Sequence, residues 1–233
     1  MRAAVAAAGP DAAVPTCPEW TVRGLVRHLA RVQQWAGRAL VTEPKTGSPQ
    51  PDEPPGEFDE LLAWWDEHIE ILVNRLTELG PDAPAWVFDS NSADTAAFWA
   101  RRQAHETAIH RLDAEHALAA SDDPGAVPTL VYEPEFAADG IDEALTIPLS
   151  RRALREGVTV AGTVLVHAAD AGRAWLVRLT PGGPLEIGAA EPGIDADASL
   201  VGTADAVYRA VWGRPSTAVR SGSVELISAL RAP

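Results

Sequence analysis

A chain of 233 residues with 46% hydrophobic and 22% charged content can form one large or two ordinary globular domains, and two is the better expectation. Its formal charge of −14, with acidic groups in excess in both halves, leaves no basic face to track phosphates and argues against nucleic acid as a partner. A single cysteine, Cys17, excludes an internal disulfide and a cysteine-rich zinc module; no apolar run could span a bilayer, and the opening MRAAVAAAG is too weak for a secretory signal, so a cytoplasmic location is expected.

Residues 2 to 8 read as a short helix broken by Gly9 and Pro10. After VPTCPEWT, with Thr21 or Glu19 as cap, the apolar spacing of Val22, Leu25, Val26, Leu29, Val32 and Leu40 predicts a helix to about residue 41. The proline-rich stretch EPKTGSPQPDEPPG (43 to 56) is a surface loop. A second long helix follows from about Phe58 to Leu79, with Leu61, Leu62, Trp65, Ile69, Leu72, Val73 and Leu76 inward, and a third from about Ala93 to Ala119. One short and three long helices joined by loops predict a four-helix bundle, in which cofactor and metal sites form between facing helices.

The character of the chain changes after SDDPGAVP (121 to 128). A helix over Phe136 to Leu149 precedes alternating runs at 158 to 168, 174 to 179 and 184 to 189, separated by Gly and Pro as in hairpins. Helices through DAVYRAVWGR and VELISALRA then complete a small α+β domain.

The residues with most chemical content lie on two of the first three long helices. Glu106 and His110, four apart, sit about 40° from each other around the helix axis and can reach one point. His28, flanked on its stripe by Leu25, Leu29, Val32 and Trp35, is drawn inward on another helix and offers a third ligand. Two imidazoles and one carboxylate with an open position are the donor set of a catalytic rather than a structural zinc site. The string RRQAHETAIHRLDAEHA (101 to 117) is nevertheless not the zincin H-E-x-x-H, because His105 lies five residues from His110 and is turned about 140° away. Asp113, one turn beyond His110, could accept a hydrogen bond from the non-ligating imidazole nitrogen or line the site. Plainer readings stay open: Arg102 and Glu106 as an exposed i,i+4 pair worth about 0.2 to 0.5 kcal/mol, His110 as an interior histidine bonded to Asp113, and His28 as a core histidine bonded to a carbonyl.

The segments TCPEWTVRGLVRHLARVQQWA (16 to 36), RRQAHETAIHRLDAEHA (101 to 117) and FAADGIDEAL (136 to 145) resemble the mycothiol-dependent maleylpyruvate isomerase family of DinB-like metalloenzymes. GTADAVYRAVWGR (202 to 214) resembles the C-terminal domain of that family, which is similar to sterol carrier folds. The resemblance implies an α+β two-domain protein, with a DinB-like metal-binding four-helix bundle over residues 1 to 120 and an α+β domain over 128 to 233. It also implies that His28, Glu106 and His110 are the zinc ligands, the same three residues that helical spacing brings together; the chain departs from the family's pattern in that members usually carry a fuller helix before the C-P-x-W segment than residues 2 to 8 here.

For function, the resemblance implies zinc and mycothiol as cofactors, with a small thiol and a small electrophile as partners. The mycothiol thiolate, deprotonated at the open metal position, adds to a conjugated cis double bond, permits rotation and leaves, as in an isomerase; in an S-transferase of detoxification or biosynthesis it stays attached. A non-catalytic module holding an apolar ligand in the C-terminal domain and a hydrolase using metal-bound water are the alternatives. Arg214, in a turn set by Gly213 and Pro215, is the candidate to hold an anionic group, against the reading of an unpartnered surface arginine. Cys17 reads as a nucleophile or, better, as a small filler ahead of a helix. His68, His116 and His167 have no partners at metal spacing, and Trp20, Trp35, Trp65 and Trp99 read as core rather than as a ligand cage.

Overall fold

The computed structural model describes residues 1 to 232, in which the chain divides into two units, Met1–Asp122 and a second from Asp123 onward. The first contains α1 (Arg2–Ala8), α2 (Val22–Ala39), α3 (Phe58–Leu79) and α4 (Ala96–Ala119). Thr21 is the residue that caps α2, its hydroxyl accepting from the Gly24 amide at 3.4 Å. Gly80, at φ +75°, ends α3, as the sequence predicts.

The buried stripe of α2 is Val22, Leu25, Val26, Leu29 and Ala30; it packs with Val5 of α1, Leu61, Leu62 and Trp65 of α3, and Ala114 and Ala117 of α4 into one core. Val73 departs from expectation: it is 54% exposed, because the inward face of α3 narrows to Leu72 in this stretch. Polar bridges cross the core, with Gln33 accepting from Trp65 Nε1 at 2.7 Å and donating to Thr107 Oγ1 at 3.0 Å. At the far end of α2, Trp35 packs against Trp86, Phe88 and Trp99 with ring centroids 5.1 to 5.6 Å apart.

In the second unit, α5 (Pro134–Ala144) continues through a π-helical turn (Leu145–Leu149) into α6 (Ser150–Glu156), so the helical run extends past the predicted end at Leu149. Pro148 explains the π turn: it supplies no amide hydrogen, and the Thr146 and Ser150 hydroxyls donate to the Asp142 and Leu145 carbonyls at 2.7 and 2.9 Å. The sheet contains β1 (Gly162–Ala168), β2 (Arg173–Leu179), β3 (Glu186–Ala189), β4 (Ala198–Gly202) and β5 (Val219–Gly222), in the order β3-β2-β1-β4-β5. β1 and β4 are parallel neighbours and the other pairs antiparallel.

The predicted hairpin runs correspond to β1 to β3, although β1 starts at Gly162 rather than at 158, and β4 and β5 went unpredicted. Helix α7 (Ala204–Val211) carries Val207, Tyr208 and Val211 into the core, and α8 (Val224–Ala229) follows β5. Gly222, at φ +79°, is fixed by close approach: a Cβ there would lie 2.2 Å from the Asp197 carbonyl oxygen.

Candidate metal centre

The first long helix and the third meet at a cluster of two histidines and one carboxylate. His28 of α2 places Nε2 2.8 Å from Glu106 Oε1, and His110 of α4 places its own Nε2 3.4 Å from the same oxygen. One donor atom from each of the three lies within 4.8 Å of the others. The other carboxylate oxygen of Glu106 accepts from Arg102 Nη2, one turn earlier on α4.

That ion pair is not exposed as the plain reading had it, since the two side chains are only 13% and 9% accessible. Burial alone would push the Glu106 carboxyl up; the Arg102 guanidinium and hydrogen bonds from His110 and His28 overcome it and hold the group well below the usual carboxylate range. For His110, burial lowers the pKa, but the hydrogen bond to Asp113 and the proximity of Glu106 outweigh it and leave the imidazole above its ordinary value.

His110 Nδ1 lies 2.8 Å from Asp113 Oδ2, so the ring donates there and turns Nε2 toward Glu106. Asp113 is itself held, accepting from Thr16 Oγ1 at 2.6 Å and contacting Cys17 Sγ at 3.5 Å. The segment before α2 is thus tied to the cluster on α4, and Cys17 is half-buried against the Asp113 carboxylate. Trp20, from the same segment, covers both imidazoles, with ring centroids 4.9 Å from His28 and 5.7 Å from His110.

His28 sits at the margin of the buried stripe of α2, its side chain 34% exposed, whereas those of Glu106 and His110 are 9% and 8% exposed. The open side of the cluster is therefore at His28. It faces a cavity of about 520 Å³ lined by Trp20, His28, Arg31 and Trp35 of the α2 region and by Pro49 and Gln50 of the proline-rich loop. Trp35 is a half-buried wall of this cavity rather than core, Trp20 lines the cavity while packing against the core, and Trp65 and Trp99 are core. Trp35 takes this place because the loop folds back along α2, with Trp35 Nε1 donating to the Pro49 carbonyl at 2.9 Å.

The remaining sequence candidates lie elsewhere. His68 stacks on Trp64 with centroids 3.9 Å apart, and His116 bonds through Nδ1 to the Ser121 carbonyl at 2.7 Å. His105 is buried outside the cluster and His167 is on β1. Arg214 is in the second unit, where it is buried and donates Nη1 to the Trp212 carbonyl at 2.5 Å, so it is neither exposed nor unpartnered. Thr16 and Arg31 carried no signal in the sequence, since neither belongs to a spacing that marks a site; the resemblance segment contains both without singling them out.

A helical unit with two imidazoles and one carboxylate converging beside a cavity defines a candidate metal-binding domain. Residues 1–115 match the family described as mycothiol maleylpyruvate isomerase N-terminal domain, and the first unit is a domain of that family. Neither the curated proteins nor the solved structures compared with the chain gave a match. Among the described residues no helix is long and apolar enough to cross a membrane.

Proposed function

We propose that the chain is a metal-dependent, thiol-using enzyme of the maleylpyruvate isomerase type, with His28, Glu106 and His110 holding a divalent ion, zinc by preference. The observation that carries this reading is the approach of His28 Nε2 and His110 Nε2 to one Glu106 oxygen, at 2.8 and 3.4 Å, inside the part of the chain that matches the family. The donor set fits the ion: a neutral imidazole tied through Nδ1 to a buried carboxylate presents Nε2 as a lone pair, and zinc takes such nitrogens at about 2.0 to 2.1 Å. An ion held there supplies Lewis acidity that lowers the pKa of a thiol reaching the site.

The rest is done by the chain. Asp113 holds the His110 ring in one tautomer, Arg102 turns one oxygen of Glu106 away from the histidines, and Trp20 packs over one side of the pair of imidazoles. His28 is the edge at which a small molecule enters from the cavity. In the isomerase reading the thiolate sulfur forms a bond to one carbon of a conjugated cis double bond while the π pair shifts onto the conjugated carbonyl as an enolate. The resulting single bond rotates, and the enolate pair re-forms the double bond in the trans geometry as the sulfur leaves with the C–S pair as thiolate.

The test uses the zinc-loaded chain with mycothiol and maleylpyruvate. Isomerisation that requires both thiol and metal supports the reading, and a stable thiol adduct of an electrophile assigns the transferase reaction instead. Turnover that needs metal but no thiol assigns the hydrolase. A chain that retains no stoichiometric metal and turns nothing over is the binding module.

A further inference from the structure

Of the arginines on α2, all but one are committed to neighbours. Arg23 donates to the Gly56 carbonyl at 3.1 Å and lies over the Phe58 ring, Arg27 pairs with Glu53 and donates to the Pro55 carbonyl at 3.3 Å, and Arg38 pairs with Asp52 and donates to the Gln50 carbonyl at 2.5 Å. These contacts, with Gln34 exchanging hydrogen bonds with Asp52 at 2.8 and 3.1 Å, pin the proline-rich loop along the helix and build the outer wall of the cavity. Arg31 lies on the same ridge, one turn after Arg27, and lines that cavity. Among the described residues it is exposed and has no hydrogen-bond or ion-pair partner.

An arginine left over in a cavity, three residues from His28 on one helical face, is within side-chain reach of whatever occupies the open edge of the metal centre. Among the described residues the one carboxylate that lines the cavity is Glu53, and it pairs with Arg27, so an entering anion meets Arg31 with the opposing charge already engaged. Trp20, just before α2, and Trp35, toward its end, both line the cavity and supply apolar wall, in a volume suited to a small organic molecule.

The geometry points to Arg31 as the carboxylate-binding residue of this cavity, holding an organic acid whose body lies along α2 between Trp20 and Trp35. The inference rests on the proposed function only in assigning that acid to the metal centre; the cavity and its arginine are independent of the ion. Bidentate geometry is what distinguishes a guanidinium from an ammonium, so the pairing is with a planar carboxylate.

The test is calorimetric titration of the full chain, metal-free and zinc-loaded, with 4-phenylbutyrate and with its neutral amide. The acid is expected to bind the metal-free chain and the amide to bind at least about tenfold more weakly, the scale of one charge-assisted pair. Arg31→Gln is expected to weaken the acid by a similar factor and leave the amide unchanged, with Arg31→Lys recovering only part of the loss. Zinc content measured on the same samples is expected to be the same for wild type and Arg31→Gln. Equal affinity for acid and amide, no binding of the acid, or an acid affinity that Arg31→Gln leaves unchanged overturns the proposal. A chain that holds no zinc but still binds the acid through Arg31 separates this site from the metal reading, which alone then fails.

Discussion

The His110 imidazole is locked to Asp113 one helical turn further along α4, with Nδ1 2.8 Å from an Oδ2 that belongs to a completely buried side chain. A carboxylate with no access to water needs donors, and it has them in His110, Thr16 and Cys17. The pair therefore joins two tasks. It ties the segment before α2 to α4, and it fixes which nitrogen of His110 faces Glu106.

Asp113→Asn keeps the volume and Thr16 contact but loses the charge that supports the imidazole. Zinc affinity, read by competition with a chromophoric chelator, is expected to fall about 10- to 100-fold while the helical signal persists. Unchanged affinity would show that the His110 tautomer does not matter to the metal.

His110→Ala is expected to abolish stoichiometric zinc and thiol-dependent turnover while the circular dichroism of the helices and a cooperative melt survive. Three long helices with a shared core do not need an ion to fold, unlike a structural zinc module closed by four ligands. Chelation should act in the same way and reverse on adding zinc. Collapse of the fold in either experiment would make the site structural.

Arg102→Gln removes the cation from a buried pair and leaves the Glu106 carboxylate with only its histidines. Loss of one partner of a buried pair costs up to about 3 to 5 kcal/mol, and the two imidazoles retain part of it, so the metal-free melt should shift by about 2 to 3 kcal/mol. Zinc supplies positive charge at the same carboxylate, and the zinc-loaded variant should lose less. Equal losses with and without zinc would refute this account of Arg102.

The pH dependence of the metal-free chain follows from two opposite shifts. The His110 pKa is raised from 6.5, so its contribution to stability is complete below 6.5 and disappears as pH rises through the higher folded value. The Glu106 pKa is lowered from 4.5, so its contribution is complete above 4.5 and disappears as pH falls through the lower folded value. Stability from this cluster is therefore greatest in the weakly acidic range and declines toward alkaline pH. Protons and metal compete for His110 Nε2, so the rise in Tm caused by zinc should grow between about pH 6 and pH 8.5. A zinc-induced shift that is constant over that range would contradict the assignment of His110.

Helical periodicity was enough to place Glu106 and His110 on one face of α4, because a four-residue step is a property of the backbone alone. The apolar stripe of α2 and the punctuation by Gly9, Gly80 and the prolines marked the helices of the first unit for the same local reason. β5 escaped because its identity as a strand comes from pairing: it is exposed along its whole length and is held by its register with β4, not by an apolar pattern, whereas β4 buries Ala198 and Leu200 in alternation over only five residues. The sequence likewise offered His28 as an interior residue, whereas packing set it at the margin, where the folded-back loop turns its free edge toward a cavity. Which arginines the loop consumes, leaving Arg31 over, and which hydroxyl and thiol satisfy Asp113 depend on side chains that meet across dozens of residues. Local spacing carries no information on such encounters; only the tertiary structure, which decides what each polar group must be paired with once it leaves water, settles them.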